Sequence, residues 1–168
     1  MVSNYNNPSR SNTFEFEIAG FKSLSLQIEE IPLTGIAIGD AIMENAPYNL
    51  QVPDNRVDLD ALSVTFEVSE NFNEWVDICE WIYMCTITND AHIKHSTNAV
   101  MVIQDNNYLP IMTVEYIGVQ PMALGQIVYS TTNDNVVEMK SNFTFRYDTI
   151  KVTHMKSNRV IEFHNIMR

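Results

Sequence analysis

The residues with the chemistry for catalysis or metal binding are four histidines, two cysteines and a few clustered carboxylates. His92 and His95 stand three apart and would be neighbours on a helix. A zinc site needs three or four ligands, and the nearest acid is Asp90, so the sequence reads as a solvated loop; His154 and His164 stand alone. Asp54, Asp58 and Asp60 surround Arg56, but the tight D-x-D-x-D-G order of a calcium loop is missing. Those charges are expected to be solvated or to pair between subunits. Cys79 and Cys85 are six apart, with no CxxC partner, on an apolar helical stretch. They read as small hydrophobes in a reducing compartment, not as a disulfide or a thiolate nucleophile. Glu15 and Glu17 are a carboxylate pair of the kind glycosidases use. They alternate with Phe14, Phe16 and Ile18, which makes them the solvent face of a strand. With five glycines there is no phosphate-binding loop, and no G-x-S-x-G elbow occurs. No nucleophile, base and orienting group come together. The expectation is a protein that is not an enzyme, with no catalytic residue, no metal and no cofactor.

Composition sets the frame for these residues. The chain has 168 residues, 45% apolar and 18% charged, the balance of one compact domain with a real core and not of a disordered chain. Its net charge is −11, from 21 acidic and 10 basic residues, which disfavours direct nucleic-acid binding because phosphates need Lys and Arg. Residues 1–12 are polar and Asn/Ser-rich and read as a flexible arm without a signal peptide. No apolar run approaches the ~20 residues of a membrane span. The nine methionines are scattered, as core filler or adaptable interface residues.

Hydrophobic periodicity predicts mainly strands. Phe14, Phe16 and Ile18 form one, and Leu24, Leu26 and Ile28 a second, read as its antiparallel partner. Residues 32–58 are punctuated by Pro32, Gly35, Gly39, Pro47 and Pro53, with Ile36, Ile38, Ile42, Tyr48, Leu50 and Val52 giving extended apolar character. That pattern fits a surface loop or a projecting hairpin that packs on a neighbouring subunit. Leu62, Val64, Phe66 and Val68 alternate with Ser63, Thr65 and Glu67 as the clearest strand. Asn71 or Asn73 is placed to cap a helix that carries Trp75, Ile78, Cys79, Ile82 and Tyr83 at helical spacing, with Asp77 and Glu80 outside. Trp75 and Trp81 are six apart, so one of them lies at the flank of the buried stripe. Val100 to Ile103 and Ile111 to Tyr116 are read as a hairpin turned by Asp105-Asn106-Asn107 and ended by Gly118 and Pro121. Ile127–Tyr129 is a short strand, and Val137, Met139, Phe143, Phe145 and Tyr147 mark a long last one. Lys151–Arg168 adds weak strand signals at Val152, Val160, Ile161 and Phe163, a C-terminal arm or short hairpin. The predicted domain is 13–150: an antiparallel β-sandwich or barrel with one flanking α-helix. Its core is expected from Leu62, Val64, Phe66, Val68, Trp75, Ile78, Ile82, Phe143 and Phe145.

The order of motifs resembles a known family. An extended segment opened by Pro47 leads to Leu59-Asp60-x-Leu62, the strand Ser63–Val68, the turn Ser69-Glu70-Asn71 and a helix containing Glu80-Trp81-Ile82. Asn107-x-Leu109-Pro110, Gly118-x-x-Pro121 and Phe143-Thr144-Phe145-Arg146-Tyr147 follow. Over residues 47–150 this succession is similar to the tail tube proteins of contractile-tailed phages, and to the tail-tube initiator proteins of their baseplates. The resemblance implies a tail-tube fold in which six copies form a ring whose inner strands join into a closed barrel. It implies rings that stack through a long hairpin, here 32–58, with Ile36, Ile38, Ile42, Tyr48, Leu50, Val52 and Arg56 at the ring and stacking contacts. The implied partners are further copies and neighbouring tail, sheath or baseplate proteins, in a virion assembled in the host cytoplasm. DNA would pass an acidic lumen without specific binding. The familiar baseplate initiator has a long N-terminal region that is not found here, and about eighteen residues follow the last family strand. A different class of function, a β-sandwich carbohydrate-binding or adaptor module, would need an exposed aromatic platform, whereas most aromatics fall at inward positions.

Overall fold

The computed structural model describes residues 13–22, 24, 27–43, 50–88, 95–129 and 138–164. The predicted arm 1–12 lies outside these. In chain order the elements are β1 (Phe14–Ile18), β2 (Ile28–Glu30), β3 (Ile36–Met43), β4 (Leu50–Leu59), β5 (Leu62–Glu67), α1 (Asn73–Ile87), β6 (Thr97–Gln104), β7 (Pro110–Leu124), β8 (Lys140–Arg146), β9 (Thr149–His154) and β10 (Arg159–His164).

All strand pairs are antiparallel. One layer runs β1-β6-β7-β9-β10 and the other β2-β5-β8-β7. Strand β7 belongs to both. Its first half pairs with β6 and β9 from Met112 to Ile117; its second half pairs with β8 from Gln120 to Leu124. Gly118 and Pro121 do not end this strand, as their types suggested; they bend it. Gly118 sits at φ 72, where a side chain is strained and where a Cβ would collide with the Asp148 carboxylate. Pro121 lies at a register shift, where its missing N–H is tolerated.

Alternation fills the space between the layers. Phe16, Ile18, Ala99, Met101, Val114, Tyr116 and Ile150 are buried from the first layer. Leu62, Val64, Phe66, Phe143 and Phe145 are buried from the second, joined by Val68 just beyond β5. Aromatic rings bridge the layers: Phe16 stacks on Phe145 at 6.2 Å, and Tyr116 meets Tyr147 edge-on at 5.0 Å, geometries that add to area burial. Helix α1 buries Ile78 and Trp81, and Trp81 lies 5.8 Å from the Phe143 ring. Trp75 and Ile82 are half-buried against this core, so Trp75 is the flanking member of the tryptophan pair.

Several elements differ from expectation for identifiable reasons. The strand β1 pairs with β6, not with the segment after Gly20. The chain turns instead, burying Leu24, with Gln27 N–H donating to Leu24 O at 3.0 Å. It then enters the opposite layer as the short β2. The helix cap is neither Asn71 nor Asn73. Phe72 holds that position at φ 56 with no side-chain cap, and its ring packs against the core. Glu74, buried in the first turn, reaches back to accept from Ser69 Oγ at 2.7 Å and Ser69 N–H at 3.3 Å. Ile127–Tyr129 is not a strand, and Val128 and Tyr129 are exposed. Val137 lies outside the described residues, and the last long strand starts at Lys140. Residues 151–164 are not separate from the layers: β9 starts at Thr149 and pairs with β7 before turning into β10.

Candidate functional site: the assembly surfaces

The β3–β4 hairpin is a two-stranded sheet of its own, joined to neither layer. Its base is fixed. Asp60 N–H donates to Gly35 O at 3.4 Å, Tyr147 Oη donates to Asp60 O at 3.0 Å, and Thr34 Oγ1 donates to Tyr116 Oη at 3.3 Å. Two core tyrosines thus clamp the hairpin root, and burial pushes the Tyr116 hydroxyl up to about 12. Beyond the root, β3 and β4 pack chiefly on each other. Cross-strand pairs Ile36–Leu59 and Ile38–Val57 place these four side chains on one face. Ile38 is 66% exposed and Ile36 44%. On that face Leu59 packs against the core, while Ile36 and Ile38 stay in water.

Of the interface residues expected from sequence, Ile36, Ile38 and Ile42 lie on β3, and Leu50, Val52 and Arg56 on β4. Arg56 falls in the stretch where the register shifts opposite Ile38 and Asp40. Tyr48 lies outside the described residues.

The solvent side of the β1-β6-β7-β9-β10 layer carries few cations. Cross-strand alternation puts Glu15, Glu17, Glu115 and Glu162 on it with Lys151 and His164. Lys151 Nζ pairs with Glu115 at 3.1 Å and His164 lies 3.6 Å from Glu162. Gln104 Nε2 donates to Glu15 at 2.7 Å.

A second acidic group was not legible in sequence. Glu29 on β2, Glu67 on β5 and Glu138 before β8 bring carboxylate oxygens within 4.8 Å of one another. Lys140 Nζ contacts Glu29 at 2.8 Å and supplies the counter-charge. The Lys140 bond holds the Glu29 carboxyl below its usual range, while hydrogen bonding to Glu29 and then Glu138 raises Glu67. The residues are 38 to 109 positions apart in pairs that only the β2-β5-β8 order joins, which no local spacing reveals.

The other chemistry-bearing residues are placed as follows. Cys79 and Cys85 are free and half-buried, with thiols pushed up by burial. His95 contacts Thr88 Oγ1 through Nε2 at 3.1 Å, and its carbonyl accepts from Trp81 Nε1 at 2.7 Å. His92 and Asp90 lie outside the described residues. Asp58 and Asp60 are exposed near the hairpin root.

No protein-family model and no curated protein sequence matches the chain. Solved structures do match. A chain of the sheath/tube terminator of the PVC extracellular contractile injection system, in its extended state, aligns with a TM-score of 0.62 at 13% identity, covering 94% of this chain and 98% of that one. A chain of the anti-feeding prophage baseplate, solved as a 6-fold symmetrised assembly, gives 0.60 at 14% identity, covering 90% and 99%. Hcp1 from E. coli EAEC 042 gives 0.55 at 8%, covering 83% and 80%. The chain therefore has the tail-tube fold shared by contractile injection systems and Hcp, mainly antiparallel β with a flanking helix. This is the fold that the motif order over 47–150 resembles. These structural neighbours are tube, baseplate and terminator components.

Proposed function

We propose that the chain is a structural subunit of a bacteriophage tail tube. Six copies would form a ring, rings would stack, and the channel would be acidic and let DNA pass. The observation that carries this reading is the β3–β4 hairpin: rooted on two core tyrosines, unpaired with either layer, and exposing Ile36 and Ile38 on a tail-tube fold. A subunit that works alone gains nothing from such a surface; a stacking subunit covers it. The charge on the first layer supports the channel. Carboxylates outnumber cations on its solvent face, and a phosphate backbone is repelled by such a wall and not trapped by it. In this reading the sheet edges are closed by neighbouring copies. The chain acts by assembly and not by catalysis, as a virion component without a cofactor.

The alternative position is a baseplate initiator or a junction ring at the end of the tube. It is supported by the likeness to baseplate and terminator chains as well as tube chains. A carbohydrate-binding or adaptor module is less well supported. The exposed tyrosines Tyr83, Tyr108 and Tyr129 lie on the helix, the β6–β7 turn and the segment after β7, not on one platform.

Electron microscopy of the concentrated protein, alone and with purified tail or baseplate parts as nuclei, tests the reading. Rings with six-fold symmetry support it, and stacks of rings support the tube position over a single terminal ring. A strict monomer under both conditions overturns it.

A further inference from the structure

Two surfaces, one on a strand and one on a helix, are exposed among the described residues and complementary in charge. The first is β10. It is the edge of its layer and, among the described residues, packs chiefly on β9. Its core-side face carries Arg159, Ile161 and Phe163, the partners of His154, Val152 and Ile150. Phe163 reaches the rim of the core, but Ile161 is 43% exposed. Residues 151–168 hold four of the ten basic residues and one of the 21 acidic ones, a cationic segment in a chain of −11. Arg159 has no ion pair among the described residues.

The second surface is the outer face of α1. Val76, Glu80, Tyr83 and Ile87 recur at the spacing that puts them on one stripe, with Asp77 at its flank, all exposed. The helix contains Glu74, Asp77 and Glu80 and no basic residue. Asp77 and Glu80 have no ion pair among the described residues. Both surfaces change character in the same sense along the chain. Lys156 lies in the β9–β10 turn, where its charge acts on Asp105, and in β10 the cation Arg159 precedes the apolar Ile161 and Phe163. In α1 the stripe opens on Val76, and the acids Asp77 and Glu80 then precede the apolar Tyr83 and Ile87. From Glu80 to Ile87 the helix rises about 10 Å at 1.5 Å per residue, and from Arg159 to Phe163 the strand spans about 13 Å at 3.3 Å per residue.

We propose that these are the two halves of one contact between copies of this chain: α1 of one copy packs beneath the overhanging β10 of the next, parallel to it. Arg159 and Lys156 meet Asp77 and Glu80, and Ile161 and Phe163 meet Tyr83 and Ile87. The contact is head-to-tail, so it closes a ring when the rotation per copy allows. It names the lateral partner within the ring reading and rests on that reading. It uses neither the hairpin nor the stacking direction.

Charge exchange tests it in the full chain. The Asp77→Lys/Glu80→Lys variant and the Lys156→Glu/Arg159→Glu variant should each lower self-association at least tenfold in sedimentation velocity, with unchanged circular dichroism. The chain carrying all four changes should assemble again. With Cys79 and Cys85 replaced by alanine, Ile87→Cys with Phe163→Cys should give a disulfide ladder, and Val76→Cys with Phe163→Cys should not. Either reversed pair assembling like the wild type, a four-fold variant that stays apart, or the opposite cross-linking preference overturns this contact while leaving the ring standing. A wild type that never associates, even with tail parts, removes the ring reading and this contact together.

Discussion

The sandwich and the β3–β4 hairpin are made of the same residue types and answer to different demands. In the sandwich, Val, Ile and Phe alternate with polar residues, and each inward side chain meets one from the opposite layer. Leu62, Val64, Phe66, Phe143 and Phe145 are buried as a result. In the hairpin, Ile36 and Ile38 alternate in the same way, yet among the described residues no opposite layer receives them. Folding of one chain explains the first pattern completely. The second gains nothing within the described fold, because about 25 cal/mol per Å² of apolar surface is gained only when that surface leaves water, and the proposed ring stacking is what would cover it.

This contrast is sharpest for truncations. Phe145→Ala, which opens a cavity between the layers, should cost about 3–5 kcal/mol in urea unfolding. A cost below 1 kcal/mol would mean that the two layers are not packed through this ring. The Ile38→Asp change should cost the isolated subunit less than about 0.5 kcal/mol, as exposed positions do, while abolishing stacking of rings seen by electron microscopy. If Ile38→Asp instead unfolds the monomer, the hairpin belongs to the subunit's own core.

Smaller effects probe what holds the two regions in place. Gly118→Ala forces a side chain into the left-handed bend and against Asp148, so a loss of about 1–3 kcal/mol is expected from thermal melts. Glu74→Ala removes the reach-back to Ser69 and should cost about 1–2 kcal/mol, the scale of a lost helix N-terminal contact. The smallest change is Lys140→Met at the exposed acidic group. The Glu29 carboxyl should titrate higher without its cation, which an NMR titration reads directly. Signs follow from the shifts. Glu29 lies below its usual range, so its bond to Lys140 helps at neutral pH and is lost as pH falls through the folded-state value. Glu67 is raised, so its ionisation disfavours the folded state as pH rises through the carboxylate range.

What sequence made legible divides along physical lines. Period-2 alternation at Leu62–Val68 and Phe143–Tyr147 located central strands because each has one buried face. The helix was legible from Ile78 and Ile82, but its start was not, since Phe72 enters by packing in place of a side-chain cap. Gly118 and Pro121 read as terminators, because residue type alone does not tell a bend between layers from an end. The partner of β1 was misread because pairing between distant strands leaves no local trace. The hairpin was one of two readings for 32–58, and its exposed face followed once it was seen to join neither layer. The Glu29, Glu67 and Glu138 group had no sequence signal, being assembled by strand order alone. Among residues 151–164, β9 joins the central β7 whereas β10 remains exposed, a difference invisible in their similar composition.

The most direct measurement is electron microscopy of the protein with and without the Ile38→Asp change, under conditions that promote assembly. The wild type should form six-fold rings that stack into tubes, and the variant rings that no longer stack. Stacking that survives in the variant, or a wild type that stays monomeric even with tail parts present, would contradict the ring-stacking reading.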